Sequence, residues 1–273
     1  MRINKFISES GACSRREADR WIVAGRVSCN GRTATLGTQV AAGDDVRIDG
    51  APLRAKRPAV YIALNKPVGV ASTTEPEVGA NIVDLVGHAE RIFPVGRLDK
   101  DSEGLILLTN DGDIVNEILR SENNCEKEYV VAVDRPLTPT TLAIMRSGVR
   151  IMGRMTKPCR AERIDECRFR LVLTQGLNRQ IRRMCSALGY RVRQLRRVRI
   201  GNVHLGALSP GQWRNLTEDE LAGLLPERFA GSRSAQSARK DSVGTPSLQR
   251  RPVVTRQSGS AVLSASQRKK SGR

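Results

Sequence analysis

The sequence predicts an α+β fold in two folded parts followed by a basic tail. Three observations carry this. Two short amphipathic helical stretches and then hairpin signals occupy residues 1–50. From residue 60 on, strand-like runs predominate, and the helical segments between them show no regular βαβ rhythm, which argues against a doubly wound sheet. From residue 227 the apolar patterning gives way to serine and basic residues.

Each element follows from local chemistry. Ile3, Phe6 and Ile7 make an apolar stripe that stops at Gly11, and Ser14-Arg15-Arg16-Glu17 reads as a capping box opening a second helix. Ala18, Trp21 and Ile22 give that helix its apolar side, and Gly25 ends it. Asn30-Gly31 is a strong hairpin signal, Gly43-Asp44-Asp45 a further turn, and Val46 and Ile48 alternate toward Asp49-Gly50. Residues 51–60, with Pro52, Arg54, Lys56, Arg57 and Pro58, read as a linker. The second part, 61–226, opens with an apolar strand over Val60–Leu64, then a turn at Asn65-Lys66-Pro67. Strands are predicted again at Gly104–Thr109, Tyr129–Val133 and Arg168–Thr174, the last with Phe169, Leu171 and Leu173 on one side. Ile114, Val115, Ile118 and Leu119 fit a short helix. A further helix is entered from Gly176, with Ile181, Met184, Cys185 and Leu188 at i, i+3, i+4, i+7 facing the core, and Arg179, Arg182, Arg183 and Ser186 opposite.

Composition narrows the function. The 273 residues hold 46 Lys and Arg against 28 Asp and Glu, a net charge of +18, which points to a polyanionic partner. Residues 227–273 carry 11 of the basic residues and 2 of the acidic ones, and are expected to be a disordered arm that adds nonspecific attraction to phosphates. No run approaches 18 apolar residues and the N-terminus lacks a signal-peptide core, so no membrane association and a cytoplasmic location are expected. Six scattered cysteines without a Cys-x-x-Cys pair suit a reduced chain. Two histidines leave little for a metal centre or a Ser-His-Asp triad, so neither metal nor cofactor is expected. Arg15, Arg16, Arg20 and Arg26 crowd the first module, and eight arginines fall within 179–199, among them Arg193, Arg196 and Arg197. Both clusters suit nucleic-acid phosphates, while aromatics at 3% are too few for a base-stacking platform. Asp99, Asp101, Glu103 and Gly104 imitate a calcium loop that fails at its twelfth place, where Asn110 stands. Asp99 instead sits between Arg97 and Lys100, and cations beside a carboxylate favour the charged form that a nucleophile or base needs. The residues alone leave open an RNA-modifying enzyme or a non-catalytic RNA-binding protein. A DNA-binding regulator would be expected to show a recognition helix and a dimer surface, and neither is evident.

Gly96–Leu105 (GRLDKDSEGL) resembles the catalytic signature of RNA pseudouridine synthases of the RsuA-like subfamily. Leu64–Gly69, Glu126–Tyr129 and Gln175–Met184 are similar to further motifs of that family, and residues 2–19 resemble the S4 RNA-binding domain that this subfamily carries in front. The likeness covers residues 1–226 and leans toward the RluF branch through Asn178-Arg179-Gln180 and Pro210–Thr217. It implies a mixed, mostly antiparallel sheet with flanking helices and a monomer acting without a cofactor. The implied substrate is 23S ribosomal RNA at uridine 2604, with uridine 35 of tyrosine transfer RNA as a second target linked to that branch and a sister synthase for another uridine as the alternative. Asp99 would be the catalytic carboxylate, Tyr129 would lie against the target base, and Arg182 would pair with Asp99. Arg97 would contact RNA in the gap left by the flipped base, and Leu173 would line the pocket. Arg179 stands where the family sometimes has histidine, so that histidine's role is not carried over.

Overall fold

In the front module, Gly11 and Gly25 adopt left-handed backbone at φ 82° and 71° and end the two helices α1 (Ile3–Glu9) and α2 (Arg15–Val23). The computed structural model describes residues 1–53, 57–75, 79–119 and 124–229. Ser14 Oγ accepts from the Glu17 amide at 3.1 Å, but the Glu17 carboxylate pairs with Arg20 at 2.9 Å, so only half of the expected capping box is made. The expected hairpin joins β1 (Val27–Cys29) to β2 (Arg32–Thr33), with Asn30 and Gly31 both at positive φ, 52° and 75°. β3 (Val46–Ile48) pairs with β1, and β4 (Ala51–Pro52) pairs with β3. Ala51 and Pro52, read as linker, thus extend the module's sheet, and the Leu53 amide still donates to the Val46 carbonyl. Ile3, Ile7, Ala18, Ile22, Val27 and Val46 form the module's own core.

The second part is built on one long sheet. Its strands in chain order are β5 (Tyr61–Lys66), β6 (Phe93–Val95), β7 (Glu103–Thr109), β8 (Lys127–Val133), the small hairpin β9 (Arg150–Ile151) and β10 (Arg154–Met155), β11 (Arg160–Arg163), β12 (Arg168–Leu173), β13 (Val192–Ile200), β14 (Val203–His204) and β15 (Trp213–Asn215). The sheet order is β11-β12-β8-β13-β7-β5-β15, with β14 on β13 and β6 on β7. Every one of these described pairings is antiparallel except β13 with β7. The helices are α3 (Ile82–Val86), α4 (Asp113–Leu119), α5 (Pro139–Ser147), α6 (Gln180–Ala187), α7 (Glu218–Leu224) and α8 (Pro226–Phe229).

Alternation explains where the core lies. In β5 and β7, Ile62, Leu64, Ile106 and Leu108 fill one face while Ala63, Leu105 and Leu107 fill the other, so these strands are buried on both sides. In β12, Phe169, Leu171 and Leu173 pack under α5 and α6 with Val131, Ile181 and Met184. The opposite side of this half carries ion pairs: Arg199 lies 2.9 Å from Glu128 and 3.0 Å from Glu126, and Arg170 lies 3.1 Å from Glu128. The tail expected from residue 227 begins with helix α8, where Arg228 pairs with Asp111 at 3.0 Å and with Glu117 at 2.6 Å. From 230 onward it lies outside the described residues.

Candidate active site

Asp99 stands on the turn between β6 and β7, and its neighbours fix that turn from below. Leu98 is buried against Ile62, Leu64, Ile106 and Leu108. The Ser102 amide closes the turn onto the Asp99 carbonyl at 3.0 Å. Ser72 Oγ accepts from the Leu98 amide at 3.2 Å and donates to the Leu98 carbonyl at 2.8 Å. The Gly69 amide donates to the Lys100 carbonyl at 2.8 Å. Lys66 is fully buried beneath this bend and donates to the Pro67 and Val70 carbonyls at 2.9 and 2.8 Å. Burial pushes its ammonium down to about 8, although Asp101, Asp99 and Glu103 pull it upward.

The guanidinium at Asp99 belongs to Arg179, not to Arg182. Arg179 Nη1 lies 3.3 Å from the Asp99 carboxylate, and its two Nη atoms donate to the two Asp101 oxygens at 3.2 and 3.1 Å. Arg182 holds Asp101 and Ser102: its Nη2 donates to the Asp101 carbonyl at 2.8 Å, to Ser102 Oγ at 3.3 Å, and lies 3.3 Å from the Asp101 carboxylate. Backbone geometry accounts for the exchange of roles. Arg179 precedes the first helical turn at φ 49° and ψ 35°, a left-handed conformation that aims its side chain ahead of α6, whereas Arg182 lies a turn further on. The Leu177 amide bonds to Gln180 Oε1 at 3.0 Å, and the Lys157 amide to Gln175 Oε1 at 2.8 Å, which secures the loop that carries Arg179. Burial works to raise the Asp101 carboxyl, but the Arg179 hydrogen bond and the charges of Arg182 and Arg179 outweigh it and leave it below its ordinary value.

Tyr129 lies on β8 opposite Leu171 of β12 and Arg197 of β13. It is half-buried and packs both on the cluster that contains Leu98 and on the cluster that contains Leu173 and Ile181. The fold therefore gathers Asp99, Asp101, Arg179 and Arg182 at the turn before β7, while Leu173 sits level with Lys127 and joins them only through the cluster on which Tyr129 packs. Arg197 departs from expectation: it is 4% exposed, and its Nε donates to the Leu105 carbonyl at 2.7 Å. Because β13 is flanked by β8 and β7, an arginine at that register is inside the protein and unavailable to RNA.

Arg15, Arg16, Arg97, Arg183 and Arg193 are exposed, and Arg196 is half-buried. Arg183 is tied to Asn178 at 3.1 and 3.2 Å. Arg26 grips Asp49 and lies over the Trp21 ring, 5.2 Å from its centroid. Among the described residues no group of three or more His, Cys, Asp or Glu side chains is placed to hold a metal ion, and no helix is long and apolar enough to cross a membrane. The sequence reading missed Ser72, and it gave Asp101, a member of the Gly96–Leu105 signature and of the failed calcium loop, no role of its own. Lys66 is read in the sequence as part of a turn and of a matching motif, whereas it ends β5 with its side chain buried.

Comparison with known proteins identifies the family. Residues 60–187 match the family model described as RNA pseudouridylate synthase, and residues 1–46 match the S4 domain. The dual-specificity RNA pseudouridine synthases RluF of Shigella flexneri and of Escherichia coli strain K12 are 52% and 51% identical over 256 residues, 93% of this chain and 88% of theirs. Ribosomal small subunit pseudouridine synthase A of Yersinia pestis is 34% identical over 230 residues, 82% of this chain and 98% of its own. A crystal structure of a pseudouridylate synthase superimposes with a TM-score of 0.63 at 30% identity, covering 82% of this chain and all of that one.

Proposed function

Because the chain belongs to the RNA pseudouridine synthase family and carries that family's chemistry behind an S4 domain, we propose that it isomerises uridine 2604 of 23S ribosomal RNA and uridine 35 of tyrosine transfer RNA. The observation that carries this target assignment is 52% identity across nearly the whole chain with synthases named as dual-specific.

Isomerisation breaks the N1–C1′ bond, turns the uracil and joins C5 to C1′. No atom is gained and no electron changes hands, so one well-placed carboxylate suffices. Asp99 supplies it, either by adding to C1′ or by taking the proton that opens a glycal route. Arg179 holds Asp99 and Asp101 together at 3.1–3.3 Å, and Arg182 fixes the backbone on which Asp99 is mounted. The Tyr129 ring lies against the uracil, and its hydroxyl assists removal of the C5 proton. Leu173 walls the pocket. The base must leave its stack first, at a cost of a few kcal/mol, which the arginine surface offsets through phosphate contacts while Arg97 contacts the RNA in the gap left by the flipped base. Arg15, Arg16, Arg20 and Arg26 of the S4 domain, with Arg193 and Arg196, extend that surface. The enzyme works as a monomer in the cytoplasm.

The test is a map of pseudouridines in 23S and transfer RNA from a strain lacking the gene, with and without its restoration. Loss and recovery at both uridines is the expected result. Loss at a different uridine would reassign the target to that of a sister synthase.

A further inference from the structure

A cavity of about 420 Å³ adjoins the site, between the turn after β8, helix α6 and the start of β13. Four arginines line it, Arg135, Arg179, Arg182 and Arg191, against one carboxylate, Asp134. Asp134 is already engaged: it accepts from the Arg191 amide at 2.8 Å and lies 3.9 Å from Arg135. Arg135 lies over the Tyr190 ring, 5.4 Å from its centroid, and donates to the Gly189 carbonyl. The Tyr190 hydroxyl is turned to Thr141 and Pro136 at 3.1 and 3.4 Å, so the aromatic residue serves as a platform for the guanidinium. The Arg191 guanidinium makes no ion pair among the described residues. A concave site with several forked donors and little competing negative charge matches a phosphodiester. Two of its arginines, Arg179 and Arg182, are also those that hold Asp99 and Asp101.

We propose that this cavity seats a backbone phosphate of the RNA strand beside the reacting uridine, and that the phosphate draws Arg179 off Asp99. The proposal rests on the synthase reading above. Arg179 engages Asp99 Oδ2 at 3.3 Å, and a carboxylate relieved of that guanidinium is the stronger nucleophile or base. A phosphate in the cavity offers Arg179 a second anion while Arg182 keeps its bonds to the Asp101 carbonyl and Ser102. RNA seating and exposure of the reactive carboxylate thus become one event.

The experiment uses the full chain and a stem-loop from 23S RNA that contains uridine 2604, with single neutral methylphosphonates placed in turn at each neighbouring linkage. At one linkage the wild type should lose affinity by about tenfold, while Arg191→Gln, already weakened, should lose less than about twofold further. The same modification should slow single-turnover conversion by the wild type but leave the rate of Arg179→Gln unchanged, because that variant has no contact to release. Arg191→Gln should keep the wild-type melting temperature, and Arg135→Gln provides a second cycle. If the losses multiply at every linkage with both variants, no phosphate sits in this cavity and the proposal falls. If the coupling is found but the rate of Arg179→Gln still follows the modification, the release step falls. Failure of the synthase reading is separate: unmodified RNA would then yield no pseudouridine, while the binding cycle, which needs no conversion, can still be read.

Discussion

Ser72 clasps both backbone polar groups of Leu98, accepting from its amide at 3.2 Å and donating to its carbonyl at 2.8 Å. The residue that follows is Asp99, so one hydroxyl sets the height of the carboxylate proposed to react. Ser72→Ala leaves a partly buried donor and acceptor unpaired, and should cost about 1–2 kcal/mol of stability in urea unfolding. The single-turnover rate should fall by about tenfold or more through misplacement of Asp99. An unchanged rate would show that Leu98 burial alone is enough to place the turn.

Asp99→Asn preserves shape and removes the charge. Conversion should be abolished, with RNA affinity within about threefold of wild type, because the substitution takes away no phosphate contact. Rapid-quench assay of conversion beside filter-binding of the same RNA checks both halves. A rate within about tenfold of wild type would remove Asp99 from the chemistry.

Arg182→Met strips partners from the Asp101 carbonyl, Ser102 Oγ and the Asp101 carboxylate together. Stability should fall by about 2–3 kcal/mol, and turnover by about a hundredfold or more. Arg182→Lys should recover little, since one ammonium does not reproduce a planar fork. Wild-type kinetics in the Lys variant would show that only charge is needed here.

Lys66 gives the fold a particular dependence on pH. Its folded value of about 8 lies below the ordinary 10.5, so between these values the unfolded chain binds the extra proton. Stability contributed at this position is therefore poorest below pH 8 and improves as pH rises toward 10.5. Lys66→Met lacks the titrating group, and the wild type should gain on it by about 2 kcal/mol across that range. Urea denaturation of both proteins at pH 7, 8, 9 and 10 measures the difference. A constant gap would mean that Lys66 is not titrating there.

The sequence made local features plain and left distant partnerships obscure. Asn30-Gly31 reads as a hairpin because both residues must take positive φ, and a two-residue motif contains all of that information. Ile181, Met184 and Cys185 read as a buried helix face because a single turn repeats them. Arg179 and Arg182 could not be ranked as partners for Asp99, because the answer depends on a left-handed residue about eighty positions downstream of Asp99. Arg197 looked like its arginine neighbours, and only the order β8-β13-β7 puts it inside. The resemblance supplied Tyr129 and gave a definite role to Asp99, which its flanking cations had marked only as a charged carboxylate.

The place of β13 between β7 and β8 has a consequence for how the protein is made. The front module closes its own core within the first 53 residues, and its paired strands need nothing from later sequence. The Asp99 turn, in contrast, leads into a strand whose neighbour ends at Ile200. At ordinary synthesis rates the ribosome takes about 5–20 s to make the intervening chain. Throughout that interval the edge of β7 that β13 will cover is open, and Arg179 and Arg182, which hold the Asp99 turn, emerge only late in it. A growing chain can therefore hold RNA well before it can modify it, and its uncovered strand edge makes the same interval its period of greatest exposure to aggregation.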